Sequence, residues 1–109
     1  MTVLVDSDIL IEVSRGRNAE IVSQWLDLSK ARARPKEHNA LDNLFRALAC
    51  APIDAEVGHQ AGIYLRQYRP SHGVEVADAL IAASAVANDA DLWTRNRGHY
   101  PMKDVSFFD

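Results

Sequence analysis

Val3-Leu4-Val5-Asp6-Ser7-Asp8-Ile9-Leu10-Ile11 decides the fold class. Its first three residues form a continuous apolar run rich in β-branched side chains, the composition of a strand buried on both faces of a parallel sheet. Asp6-Ser7-Asp8 then offers side-chain oxygens able to cap the unpaired N–H groups at a helix start. Ile9, Leu10, Ile11 and Val13 continue that helix, and Gly16 ends it, since glycine accepts the left-handed conformation that closes a helix. A buried strand passing directly into a helix is the opening of an α/β domain.

Working outward, Asn18 caps a second helix in which Ile21, Val22, Trp25, Leu26 and Leu28 recur at helical spacing. From Lys30 to Lys36 the chain turns basic and irregular, marking a junction. Pro35 suits the first turn of a helix carrying Leu41, Leu44, Phe45 and Leu48 on one face. Asp54 caps the next, with Val57, Ala61, Tyr64 and Leu65 inward and Arg66 and Arg69 outward, and His72-Gly73 breaks it. Val74 to Ala87 is apolar nearly all round, as expected of a helix packed inside a domain. Asp91-Leu92-Trp93-Thr94 reads as a second buried strand and Val105-Ser106-Phe107-Phe108 as a last one.

The 109 residues, 48% hydrophobic and 25% charged, suit one globular domain, residues 1–109, without an internal repeat. A net charge of -3 excludes a general positive field, so any nucleic-acid contact must be local. Cys50 stands alone and reads as a small buried hydrophobe in a reducing compartment. No basic, apolar leader is visible, and the longest uncharged run, Ala79 to Asn88, is about half of the roughly 18 residues needed to span a bilayer. The expected location is the cytoplasm, with no membrane partner.

In open α/β sheets function gathers at the carboxyl ends of the strands. Asp6 follows the first strand directly; Thr94, Arg95 and Asn96 follow a later one; Asp78 interrupts an otherwise apolar helix. Carboxylates that converge in a cleft repel one another, and a hard cation such as Mg²⁺ or Mn²⁺ relieves that repulsion through oxygen ligands. A cation so held activates water and stabilises a phosphoryl transition state. Structural readings stand beside this one. Asp8 can act simply as a helix cap, Asp78 can complement a helix N-terminus, and Asn96 can be a turn residue. His38, His59, His72 and His99 show no metal-ligand spacing, and Glu12 reads as solvated.

Three stretches carry a family resemblance. Val3 to Ile11 resembles the opening of PIN-domain nucleases; Ser71-His72-Gly73-Val74-Glu75-Val76-Ala77-Asp78-Ala79-Leu80-Ile81-Ala82-Ala83 is similar to their second acidic motif; Leu92-Trp93-Thr94-Arg95-Asn96-Arg97-Gly98-His99-Tyr100 is similar to the third. The nearest branch is the VapC toxins of bacterial type II toxin–antitoxin modules, and the resemblance covers nearly the whole chain. It implies a PIN-like three-layer α/β/α fold with a mostly parallel central sheet. It also implies a Mg²⁺-dependent endoribonuclease, neutralised by a cognate antitoxin and commonly a homodimer. Carried over, Asp6 and Asp78 would bind the metal, Asn96 would complete the catalytic set, and Thr94, Arg95 and Arg97 would meet the RNA, with Arg66 and Arg69 as weaker phosphate contacts. His99-Tyr100 stands where the family usually has Asp-Phe.

The chain departs from the family in its middle. Leu28-Ser29-Lys30 runs directly into Ala31-Arg32-Ala33-Arg34-Pro35, so one strand and the following helix, with the Glu that helix bears, are expected to be missing near residues 30–35; Glu37 sits in the wrong context to replace it. Loss of that strand would bare one edge of the first strand and invite pairing with another chain. The alternative function is a catalytically impaired PIN-like binding module that retains antitoxin or RNA binding. A phospho-receiver is disfavoured because Asp54 follows only Pro52-Ile53 and Lys103 precedes its strand. A haloacid-dehalogenase reading of Asp6 and Asp8 lacks the Gly-Thr sequel.

Overall fold

Two short strands, β1 (Val3–Val5) and β2 (Asp91–Trp93), pair in parallel with Val3 opposite Asp91, Leu4 opposite Leu92 and Val5 opposite Trp93. The structure, a computed structural model, describes residues 2–29 and 52–109. The ladder extends one bond past each end: Asp91 N–H donates to Thr2 O at 2.9 Å and Asp6 N–H to Trp93 O at 3.0 Å. Asp6 is thereby fixed at the carboxyl end of β1. Helices α1 (Ser7–Arg15), α2 (Ala19–Ser29), α3 (Ala55–His72) and α4 (Val76–Ala87) and a 3-10 turn (Arg97–His99) complete the described elements.

Two compact units are present, Met1–Ile9 with Ala51–Asp109, and Leu10–Cys50. The core of the first is built by α3 and α4, which pack on each other, while α4 also touches both strands. Its centre holds Val57, Ala61 and Tyr64 of α3, four alanines of α4, and Leu92 of β2. Ala79, Ala82, Ala83 and Ala85 are at most 1% exposed, and their small side chains let the two helix backbones approach closely. Burying Leu92 fully contributes about 2 kcal/mol.

The helix boundaries follow local chemistry. Asp54 Oδ1 accepts from Val57 N–H at 2.9 Å and starts α3; Gly73, with φ of 64°, closes it by donating its N–H to Arg69 O at 3.0 Å. A β-carbon at that φ would be strained, so glycine suits the position. Within the second unit, Asn18 Oδ1 accepts from Ile21 N–H at 3.1 Å at the start of α2, and Ile21 and Trp25, one turn apart, are buried.

Three expectations need correction. β1 is half-buried, unlike the buried Leu92 and Trp93 of β2, because among the described residues it has a ladder partner on one side only. Val105 to Phe108 forms no strand but a single parallel bridge, Leu92 to Phe107, flanked by Leu92 N–H to Ser106 O at 2.8 Å and Phe108 N–H to Leu92 O at 2.9 Å. The turn before it holds Val105 N–H on Met102 O, which takes that residue out of the ladder. Glu12 is not solvated: its side chain is 14% exposed and its Oε1 lies 3.6 Å from Arg15 Nη1. The expectations for Lys30 to Lys36, for the Pro35 helix, for Glu37 and His38 and for Cys50 lie outside the described residues.

Candidate active site at the carboxyl ends of the strands

Asp6 is 7% exposed, and an ionised carboxylate so placed needs donors. Two hydroxyls supply them, both to Oδ2: Thr94 Oγ1 at 2.9 Å and Tyr100 Oη at 2.8 Å. The other oxygen, Oδ1, has Ser7 Oγ at 3.4 Å, a long and weak contact. Thr94 Oγ1 in turn accepts Asn96 N–H at 3.1 Å, so its one hydrogen is committed to Asp6.

Asp8, in the first turn of α1, ties the same loop from the other side. Its Oδ2 accepts Arg95 N–H and Asn96 Nδ2–H, each at 3.0 Å, while its Oδ1 is buried without a hydrogen-bond partner. Burial pushes the Asp8 carboxyl above the usual carboxylate range; the Arg95 N–H opposes this and the charge of Asp6 adds to it. Asp8 is therefore a brace between α1 and the segment after β2, not merely the helix cap that the sequence also allowed.

Asp78 sits at the third position of α4. Its Oδ2 accepts Glu75 N–H at 3.3 Å, the reach-back of a capping box, so the structural reading of this residue holds too. Its Oδ1 faces His99 Nδ1 at 3.8 Å. Tyr100, which donates to Asp6, lies in the field of these carboxylates. Burial, the hydrogen bond to Asp6, and then the charges of Asp6, Asp78 and Asp8 all hold the proton on its phenol, far above the ordinary tyrosine value.

The structure thus brings Asp6, Thr94 and Asn96 together, while Asp78 contacts Glu75 and His99. Two residues expected at the RNA have partners within the chain. Thr94 is 8% exposed with its hydroxyl engaged at both ends, so it positions Asp6 and presents nothing to a ligand. Arg97 turns toward the end of the chain: its Nη2 donates to Phe108 O at 3.1 Å and Asp109 Oδ1 at 2.6 Å, and its guanidinium lies 5.0 Å from the Phe107 ring centre. Arg95 is exposed beside the site, and Arg66 and Arg69 are exposed on α3.

Asp8, His99 and Tyr100 were missed as site residues. Asp8 was detectable as a carboxylate surplus to a cap that one residue can make. Tyr100 was detectable as a hydroxyl at an aromatic core position, since a buried phenol takes a partner.

Among the described residues no group of three or more His, Cys, Asp or Glu side chains gathers into a metal-holding cluster. The donors nonetheless fit a hard cation. They are oxygens, one of them the unpartnered Asp8 Oδ1, and Mg²⁺ needs only one or two carboxylates because it keeps several waters.

Two curated relatives from Mycobacterium tuberculosis decide the family. Ribonuclease VapC19 is 31% identical, the match covering 91% of this chain and 92% of the relative; Ribonuclease VapC10 is 34% identical over 92% of this chain and 86% of the relative. The chain belongs to the VapC family of PIN-domain toxins. The mixed α/β architecture with a short parallel sheet agrees with that membership. Each match runs over 115 residues, more than the 109 of this VapC chain, so it contains positions where the relative has residues and this chain has none. No family model and no solved structure matches the chain.

Proposed function

We propose that this VapC-family chain is an endoribonuclease toxin that hydrolyses RNA phosphodiester bonds with Mg²⁺, or Mn²⁺ in its place, held by Asp6 and Asp78. The observation that carries the reading is the buried Asp6 carboxylate at the end of β1, braced on one oxygen by two hydroxyls and on the other only by a long contact from Ser7. The relatives named as ribonucleases support the reaction class. When bound, the cation would lower the pKa of a water and offset charge on the phosphoryl group. The chain's own residues orient and hold. Thr94 and Tyr100 set the direction of Asp6, the capping contact with Glu75 fixes Asp78, and Asp8 holds Asn96 beside them. Arg95, exposed directly after β2, would meet a phosphate. Arg97 reaches one only by leaving Asp109, an exposed pair that costs little to break.

The remaining parts of the proposal are a cognate antitoxin that silences the toxin, a homodimer, and action in the cytoplasm; no described helix is long and apolar enough to cross a membrane. We also place the residues missing relative to the family near 30–35, where its central Glu would stand. The test is RNA cleavage in Mg²⁺ and in chelator, by the chain and by Asp6→Ala. Cleavage that needs both the cation and Asp6 supports the reading, and equal cleavage by the two chains overturns it.

The second reading, a binding module without catalysis, draws on the lack of a three-ligand cluster among the described residues. It predicts RNA or antitoxin binding with no Mn²⁺ uptake that depends on Asp78.

A further inference from the structure

Asp6 Oδ2 receives two hydroxyl donors from different parts of the chain. Thr94 lies directly after β2, and Tyr100 lies directly after the 3-10 turn. Two donors at 2.9 Å and 2.8 Å on one carboxylate oxygen use both of its lone-pair directions, so the carboxylate plane cannot rotate without breaking at least one bond. The Tyr100 ring is 4% exposed and belongs to the same core cluster as Leu92, Met102 and Val105, so the phenol is a fixed donor rather than a swinging one. Oδ1 has only the long contact from Ser7. The two halves of the Asp6 carboxylate are therefore unequal, one anchored by two short hydrogen bonds and one held only by a long contact.

We propose that Tyr100 is a positioning residue for Asp6: its hydroxyl, with that of Thr94, anchors Oδ2 and so fixes the orientation in which the carboxylate would hold the divalent cation. This rests on the reading of Asp6 as a metal-binding carboxylate. Hydrogen bonds to a ligating carboxylate fix its orientation, and their loss typically costs ten- to a hundredfold in metal affinity or activity. Phenylalanine would fill the same core volume but leave Oδ2 with Thr94 alone.

Mn²⁺ titration of the full chain without RNA, followed by the fall in the free-ion resonance signal, tests the proposal on four chains: unaltered, Asp6→Ala, Tyr100→Phe and Thr94→Val. Thermal melting without metal runs beside it. The expected result is Mn²⁺ binding that Asp6→Ala abolishes and that Tyr100→Phe weakens about tenfold, with the melting transition still cooperative. The KM for RNA should stay unchanged in Tyr100→Phe while kcat at sub-saturating Mn²⁺ falls, a split that loss of core packing alone would not produce. Equal Mn²⁺ affinity in Tyr100→Phe and the unaltered chain overturns the proposal and leaves the role of Asp6 standing, the more sharply if Thr94→Val binds weakly. A Tyr100→Phe chain that does not fold assigns the hydroxyl to core stability and also overturns it. Mn²⁺ binding that is absent, or indifferent to Asp6→Ala, overturns the reading of Asp6 and this proposal with it.

Discussion

Asn96 Nδ2 donates to Asp8 Oδ2 at 3.0 Å, closing a circuit in which Asp6 holds Thr94, Thr94 holds the Asn96 backbone, and Asp8 holds the Asn96 side chain. The segment after β2 is thereby locked to the start of α1 by side chains, where no ladder bond reaches. A parallel pair of three-residue strands has few backbone bonds of its own, so these polar ties carry much of the local order.

Thr94→Val tests the first link. It keeps the shape of the side chain but removes a donor from a buried carboxylate and an acceptor from Asn96 N–H. Equilibrium unfolding in urea should show a loss of about 2 kcal/mol, since bonds to charged groups are the stronger class. Thr94→Ser, which retains the hydroxyl, should lose less than half of that. Equal losses in the two variants would mean that the methyl group, not the hydroxyl, matters.

Asp8→Asn tests the brace through pH. Folding raises the Asp8 carboxyl pKa, so the contribution of this group is most favourable below the unfolded value near 4 and declines as pH rises through the higher folded value. Asparagine can still accept from Arg95 N–H and Asn96, but it does not ionise. The stability of Asp8→Asn relative to the unaltered chain should therefore improve between about pH 4 and pH 7. A difference that is flat across this range would show that Asp8 does not titrate abnormally.

Tyr64 lies outside the site and gives an independent check. Its hydroxyl donates to Asp104 Oδ2 at 2.8 Å, and burial, followed by that contact, raises the phenol well above its ordinary value. A raised folded pKa means stability that is complete below the unfolded value near 10 and lost above it. Tyr64→Phe should cost about 1–2 kcal/mol at neutral pH and flatten part of the alkaline fall. Unfolding measured from pH 8 to 11 checks both.

Ala83→Leu probes the close approach of α3 and α4. Ala83 is 1% exposed, and overfilling such a position typically costs about 1–3 kcal/mol. Val76→Ala, at a residue 52% exposed on the first turn of α4, should stay within about 0.5 kcal/mol. Chemical denaturation of the two variants separates a buried from an exposed position on one helix.

Much of this was legible in the residues. Val3 to Val5 before a capping cluster, the all-round apolar Val74 to Ala87, and the Asp54 and Gly73 helix boundaries are local signals, and each formed the expected element. The family was legible because its motifs stand in order along the chain. What stayed hidden depends on distant partners. An aspartate after a strand reads as a cap whether or not its second oxygen reaches the far loop, so Asp8 was undervalued. The ring of Tyr100 reads as core, and only its position beside Asp6 gives the hydroxyl a purpose. The Asp109 partner of Arg97 lies beyond a local reading, and Val105 to Phe108 reads as a strand until the turn at Met102 is seen to shorten it.

The central claim, that this carboxyl-end cluster holds a catalytic divalent cation, is tested most directly by anomalous diffraction from Mn²⁺-soaked crystals. The expected result is a Mn²⁺ peak in ligand contact with the carboxylates of Asp6 and Asp78, absent from crystals of Asp6→Ala. A site empty at saturating Mn²⁺, or a peak that persists without Asp6, would contradict it.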